Sequence, residues 1–147
     1  MSRSSVKQRV LIMTPDREFA AQFLDLCAQY GHNTMVSACV SVSATMMLSS
    51  HYGPRMLLAD IRYGEVVLRQ MIRELKHENP HLVVLLVGES ACDLNSFARK
   101  VRANGWLSRE RADCHRLVRL LDVRPVEPKV PLLPWTMPPF QPSQVYS

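Results

Sequence analysis

The sequence predicts a doubly wound (βα)5 fold, with a five-stranded parallel sheet, helices on both faces and a proline-rich C-terminal tail. Short apolar runs alternate with helical patterns five times in about 115 residues. One of these runs, "HLVVLLVG" at His81–Gly88, is almost purely apolar, as expected of a central strand that is covered on both faces. Seven of the ten prolines then follow residue 124. The boundaries predicted are residues 1–124 for the domain and 125–147 for the tail.

The first two strand–helix units are predicted from apolar spacing and capping residues. Val10–Met13 is the first strand, and the helix after it ends at a capping glycine, Gly31. Thr34–Ala38 is a weaker strand, and Ser41 or Ser43 is expected to cap the second helix. The apolar side chains predicted for these two helices are Phe19, Phe23, Leu26, Cys27 and Tyr30, then Met46, Met47 and Leu48.

The remaining three units begin after the breaker Gly53-Pro54. Met56–Ile61 is the third strand, and its helix must end before Pro80. His81–Gly88 is the fourth strand, and Gly105–Leu107 is a short fifth strand. The apolar side chains predicted for the three helices are Val67, Leu68, Met71, Ile72 and Leu75; Leu94, Phe97, Ala98 and Val101; and Cys114, Leu117, Val118 and Leu121.

The composition is that of an ordinary globular protein, with 47% hydrophobic and 21% charged residues. No apolar run approaches the roughly 18 residues of a membrane span, and the first residues have no apolar stretch of signal-peptide type. We therefore expect a cytoplasmic protein without membrane contact. The four cysteines are scattered without a CxxC pair, which argues against a disulfide framework or a zinc site.

The net charge of +5 is concentrated in one segment, residues 99–124. Such a basic face could make ion pairs across a homodimer, meet an acidic partner or a phosphate backbone, or simply be solvated. No helix-turn-helix segment follows, and the tail is too rich in proline to form one, so direct nucleic-acid binding is not expected. The residues of the predicted interaction face are Arg99, Lys100, Arg102, Arg111, Arg116 and Arg119.

The tail combines regularly spaced prolines with large apolar side chains. Its first four prolines recur at every third residue, which would align them along one edge of a polyproline II helix. This mixture predicts a segment that docks on its own domain or on a partner, or else a linker to a further effector. The side chains predicted to dock are Leu132, Leu133, Trp135 and Phe140.

Asp60 is the residue best placed to carry chemistry, because it lies near the carboxyl end of a predicted central strand. Ligands of wound parallel sheets bind beyond this edge. A carboxylate there can accept a phosphoryl group if a divalent cation offsets the crowded negative charge. The alternative is a structural role, in which Asp60 caps the turn that follows.

Four stretches together resemble the receiver domain of bacterial two-component response regulators. They are "RVLIMTPDREF", "PRMLLADI", "VVLLVGES" and "NGWLSRE", and the resemblance covers residues 6 to about 124. It implies a flavodoxin/receiver-like fold, a role in signal transduction and transcription regulation, and dimerisation through the fourth helix, fifth strand and fifth helix. In this chain those elements contain the basic segment.

The resemblance also implies roles for individual residues, and Asp60 matches the phosphoacceptor of the family. The paired metal-binding acids fall on Thr14 and Pro15, and Asp16 follows one position later. The hydroxyl residue that binds the phosphoryl group falls on Val87. The lysine falls on Arg109 and the aromatic switch residue on Trp106.

These departures predict a degenerate receiver, or pseudo-receiver. Magnesium prefers octahedral oxygen ligands, and only Asp16 and Asp60 remain to supply carboxylates, so metal binding should be weak or lost and no cofactor is expected. Asp60 is instead expected to pair with Arg109 or Arg62. We expect a non-enzymatic, phosphorylation-independent module that binds a regulatory protein or a sensor kinase.

Two other interpretations follow from the same fold. In the first, Asp16 and Asp60 still hold Mg²⁺, and Asp60 is a working phosphoacceptor. In the second, the domain binds a nucleotide or flavin. The turn after the first strand, "TPDRE", argues against the second, because without glycine its backbone amides cannot easily approach a phosphate.

Overall fold

The computed structural model describes residues 8–31, 34–89 and 93–123. One parallel sheet with the strand order β2-β1-β3-β4-β5 runs through this part of the chain. The strands are β1 (Gln8–Met13), β2 (Thr34–Cys39), β3 (Met56–Asp60), β4 (Val83–Gly88) and β5 (Gly105–Ser108). The helices are α1 (Arg17–Tyr30), α2 (Val42–Tyr52), α3 (Glu65–Glu78), α4 (Leu94–Val101) and α5 (Arg111–Val123). The predicted (βα)5 fold is confirmed.

Alternate residues of the central strands point to two separate cores, one on each face of the sheet. On the first face α1 and α5 pack over side chains such as Ile12, Leu58 and Leu85. On the second face α3 and α4 pack over the intervening residues, such as Leu57 and Leu86. The central strands β3 and β4 are buried throughout, which explains why their sequences are apolar without polar alternation.

The helix boundaries follow from local capping. Asp16 caps α1 by accepting a hydrogen bond from the Phe19 amide, and Ser41, rather than Ser43, caps α2. At the other end of α2, Gly53 adopts a left-handed conformation with φ of 62°, which favours glycine. The two N-caps therefore start their helices with a side-chain hydrogen bond, and Gly53 ends α2 because it has no side chain to oppose a positive φ.

Three predicted core positions prove to be exposed. Val67 exposes 42% of its surface, Met47 67% and Tyr30 37%. Val67 precedes Leu68 in the first turn of α3, where the buried stripe starts at Leu68. Met47 belongs to α2, whose apolar residues are not confined to one face and in which only Thr45 is buried.

Predictions about the tail fall on residues 125–147, which lie outside the described ranges. None of the helices in those ranges is long and apolar enough to cross a membrane.

Leu68 and Val67 offer a matched test of the α3 packing. Leu68 is fully buried and Val67 is exposed, although they are neighbours in one helix. We expect Leu68→Ala to lower the free energy of unfolding by about 2–5 kcal/mol, because it leaves a cavity. Val67→Ala should change it by less than about 0.5 kcal/mol. Urea denaturation measures both values, and equal losses would contradict the observed orientation of α3.

Candidate functional site

The register of the sheet brings four polar residues to one edge. β3 ends at Asp60, which pairs with Val87 of β4, and β1 ends one residue before Thr14. Glu89 follows β4, and Arg109 follows β5. Because all strands are parallel, their carboxyl ends meet at the same edge, where wound sheets bind ligands.

Asp60 is buried, and both of its carboxylate oxygens accept hydrogen bonds. The side chain is only 1% exposed. Oδ2 accepts a hydrogen bond from the Thr14 hydroxyl at 2.7 Å, and Oδ1 accepts one from the Arg62 backbone amide at 2.9 Å. Asp60 thereby caps the 3-10 turn Ile61–Tyr63, the structural role weighed from the sequence. Its carboxylate is satisfied by the protein alone.

Arg109 supplies the main positive charge near Asp60. Its guanidinium forms an ion pair with Asp16, and its Nη1 lies 3.8 Å from Oδ2 of Asp60. Its Nε lies 3.5 Å from Glu89. The side chain is 12% exposed and stacks over the Phe19 ring, 4.9 Å from the ring centroid. One planar cation therefore lies among three carboxylates that come from three loops.

Asp16 uses its two oxygens for different purposes. Oδ1 accepts the Phe19 amide at 3.1 Å, and Oδ2 pairs with Arg109. The Phe19 hydrogen bond and, after it, the charges of Arg109 and Arg62 lower the pKa of Asp16, against the opposing effect of desolvation. The carboxylate is thus committed to the helix cap and to the guanidinium.

Arg62 provides a second, more loosely held cation. Its side chain is half exposed, 3.9 Å from Asp60 and 3.8 Å from Asp16. The sequence suggested that Asp60 pairs with Arg109 or with Arg62, and both guanidinium groups lie within 4 Å of it. Arg109 is the more enclosed partner, because its side chain is 12% exposed against 50% for Arg62, and its backbone amide donates to the Gly88 carbonyl at 2.9 Å.

Of the other positions carried over from the resemblance, Pro15 is exposed, and Val87 and Trp106 pack in or against the cores. Val87 is 1% exposed and packs in the first core. Trp106 is half-buried and packs against the second core. Within the described ranges there is no group of three or more His, Cys, Asp or Glu residues that could hold a metal ion.

The residues of the predicted interaction face are exposed, but they lie on helices that cover opposite faces of the sheet. Arg99 and Lys100 belong to α4, and Arg102 is its left-handed C-cap with φ of 64°. The others, Arg111, Arg116 and Arg119, belong to α5. Since α4 and α5 flank β5 from opposite sides, these residues form two basic surfaces along the β5 edge.

Two members of the site were missed from the sequence. Glu89 was not considered, although it directly follows the strongest strand and the rule that strands end at a common edge could have identified it. Phe19 was assigned only to the core, yet its ring also supports the Arg109 guanidinium. Phe19 and Arg109 are 90 positions apart, and nothing in the local sequence connects them.

The comparisons with solved structures identify the architecture. An orphan response regulator of H. pylori matches with a TM-score of 0.63 and 13% identity, over 83% of this chain and 98% of the other. The chain has the fold of a receiver domain. No family model and no curated protein matches the sequence.

Two other solved structures have a similar fold. An atypical orphan response regulator, described as having a phosphorylation-independent regulatory mechanism, matches with a TM-score of 0.63 and 13% identity, over 79% of this chain and 93% of the other. The receiver domain of Ssk1 from Saccharomyces cerevisiae, solved with the histidine phosphotransfer protein Ypd1, matches with a TM-score of 0.61 and 15% identity, over 76% of this chain and 84% of the other. At these identities the likeness concerns the fold.

Asp16→Asn tests whether the negative charge of Asp16 stabilises the folded protein. Asparagine caps a helix as well as aspartate does, so the substitution removes the charge and keeps the cap. The folded state lowers the pKa of Asp16 below its ordinary 3.8, so its ionised form stabilises the protein above that pH. This stabilisation is lost as the pH falls through the lower folded-state pKa. We expect wild type to be the more stable protein at pH 7 and the difference to shrink below pH 3.8.

Urea denaturation of both proteins from pH 7 down to pH 3 measures that difference. A difference that stays constant with pH would show that the Phe19 hydrogen bond and the two arginines together do not lower the pKa of Asp16 in the folded state.

Proposed function

We propose that this chain is a receiver-type signalling module that acts through protein contacts and does not depend on phosphorylation of Asp60. The observation that carries the proposal is the Arg109 guanidinium, which lies between the carboxylates of Asp16 and Asp60. The guanidinium permanently offsets the negative charge of the two carboxylates. A phosphoacceptor site, in contrast, needs a cation that is free to bind an incoming phosphoryl group.

The residues at this edge do not fit a magnesium ion. Magnesium requires near-octahedral oxygen coordination and usually binds through one or two carboxylates together with phosphate oxygens. Asp16 is bound to the α1 cap and to Arg109, and the oxygens of Asp60 accept hydrogen bonds from Thr14 and Arg62. A divalent ion would have to displace a guanidinium or bind beside one. No cofactor therefore belongs to the proposed function.

Val87, at the position of the family's hydroxyl residue, cannot form a hydrogen bond to a phosphoryl group with its side chain. Val87 offers no hydroxyl, and its side chain is packed in the first core. The Thr14 hydroxyl, which is near enough to Asp60, already donates to its Oδ2. Attachment of a phosphoryl group would therefore disrupt existing hydrogen bonds without gaining a new donor at Val87. This supports a module held in one state rather than a switch.

The partners that suit such a module are proteins. The basic residues of α4 and α5 suit a homodimer, or an acidic surface of a regulatory protein or sensor kinase, in transcriptional or other control within the cytoplasm. Two likenesses support protein contacts and phosphorylation independence: the yeast receiver bound to a phosphotransfer protein and the atypical orphan regulator. Enzymatic turnover, membrane contact and direct nucleic-acid binding form no part of the proposal.

A working Mg²⁺-dependent phosphoacceptor is the second candidate. It is favoured by the place of Asp60, a carboxylate at the end of a central strand in a receiver fold. This candidate requires Asp60 to leave its present hydrogen bonds and Arg109 to move from Asp16. The two candidates differ in whether the protein binds metal and a phosphoryl mimic.

Titration with Mg²⁺ and beryllofluoride, a phosphoryl mimic, separates the two candidates. We expect the two ligands to cause no saturable backbone amide shifts at Thr14, Val87 or Trp106, either in wild type or in Asp60→Ala. A restored variant carrying Thr14→Asp, Pro15→Asp, Val87→Thr and Arg109→Lys regains the acids, the hydroxyl and the lysine of the family, and should respond. Saturable shifts in wild type that vanish in Asp60→Ala would establish the phosphoacceptor instead.

A further inference from the structure

One segment of the sequence lacks charged side chains. From Leu26 to Pro54 the sequence contains no Asp, Glu, Lys or Arg, in a chain that is 21% charged overall. This segment includes the whole of β2 and α2. At the average charged fraction of this chain, a stretch of this length would hold about six charged residues. Its composition is therefore unlike that of a fully solvated surface, which is normally rich in charged side chains.

The structure places this segment at an open edge. β2 is the outermost strand next to β1, and exposed edge strands are normally protected by charges or proline. Three large apolar side chains are exposed here: Met35 by 45%, Val40 by 53% and Met47 by 67%. One charged neighbour, Arg9 of β1, donates a hydrogen bond to the Tyr52 carbonyl at the end of α2. We call the exposed part of residues 34–52 the β2–α2 surface. Exposed apolar patches of this kind usually mark a site where another segment or protein binds.

The C-terminal tail begins beside β1, the strand next to the edge strand β2. Near the end of α5, the Leu121 carbonyl accepts a hydrogen bond of 2.8 Å from the side chain of Gln8. Gln8 is in register with Thr34, the first residue of β2. Neighbouring strands are about 4.8 Å apart, so the chain leaves α5 near β1, one strand from the edge.

The composition of the tail complements the β2–α2 surface. From Val130 to Ser147 there is again no charged side chain. The segment supplies a set of large apolar residues: Leu132, Leu133, Trp135, Met137, Phe140 and Tyr146. Between it and α5 lie residues 124–129, which reach about 19 Å in a polyproline II conformation at 3.1 Å per residue. That reach is enough to cross from β1 to the outer side of β2, about 10 Å away at two strand spacings. Because α5 packs on the first core and α2 on the second, the residues from 130 onward have to pass around the β2 edge to reach α2.

We propose that residues 130–147 pack on the β2–α2 surface of the same molecule. Proline has no amide hydrogen, and Pro131 and Pro134 are three positions apart, so the tail cannot continue the sheet as a regular strand. It binds instead through side chains, with Leu132, Leu133 and Trp135 covering the exposed methionines. The contact covers an apolar edge that would otherwise attract other chains, and it does not depend on the proposed function of the Asp60 site.

Fluorine NMR of the full chain, labelled with 5-fluorotryptophan, tests this contact. The protein has two tryptophans, so Trp135 reports on the tail and Trp106 serves as the internal reference. Met35→Glu and Met47→Glu each place a charge on the β2–α2 surface at an exposed position. Val66→Glu is the matched control, because Val66 is 79% exposed on α3. We expect both methionine variants to move the Trp135 resonance toward its position in urea, and Val66→Glu to leave it unchanged.

Two results would overturn the proposal. A Trp135 resonance already at the urea position in wild type, or one that ignores both methionine variants, would show that the tail does not bind this surface. A Trp135 shift that depends on protein concentration, with a dimeric mass by light scattering, would place the tail on a second copy. A concentration-independent shift that both methionine variants abolish supports packing within one molecule.

Discussion

The buried carboxylate of Asp60 must be compensated, because an isolated charge at 1% exposure would be too costly to keep. The protein compensates it with the Thr14 hydroxyl, the Arg62 amide and the Arg109 guanidinium. The cation joins loops after β1, β3, β4 and β5, since Arg109 also reaches Asp16 and Glu89. The arrangement of this edge depends on that one guanidinium.

This constraint shapes the proposed function. A metal ion can leave a site and return, but a guanidinium on a side chain that packs against Phe19 stays with the protein. Under the proposed function, the fixed cation keeps the charges at this edge in one arrangement, and signalling relies on the surfaces of the domain. The described part of the chain offers two different kinds of surface, the basic side chains of α4 and α5 and the exposed apolar side chains of the β2–α2 surface. Regulation by protein contacts is consistent with both.

The fold was predictable because the apolar residues of this chain are spaced as in strands and helices. Gly53-Pro54 and Asn79-Pro80 also mark where a helix ends before the next strand. The wrong positions have a common cause. Val67 and Met47 are apolar residues on exposed helix surfaces, which a pattern of hydrophobicity alone cannot distinguish from core. At the site, the resemblance led to Asp60 and Arg109. It did not lead to the Asp16–Arg109 pair or to Glu89, because these contacts join loops far apart in sequence and depend on the direction of side chains.

A double-mutant cycle between Asp60 and Arg109 measures most directly whether the guanidinium serves as the fixed cation of this site. Free energies of unfolding are compared for wild type, Asp60→Asn, Arg109→Met and the double variant, without added divalent metal. Residues that interact within one charge network couple by about 0.5–3 kcal/mol, and we expect a favourable coupling of at least about 1 kcal/mol. A coupling near zero would mean that Arg109 does not compensate Asp60, and the proposed replacement of the metal by an arginine would be wrong.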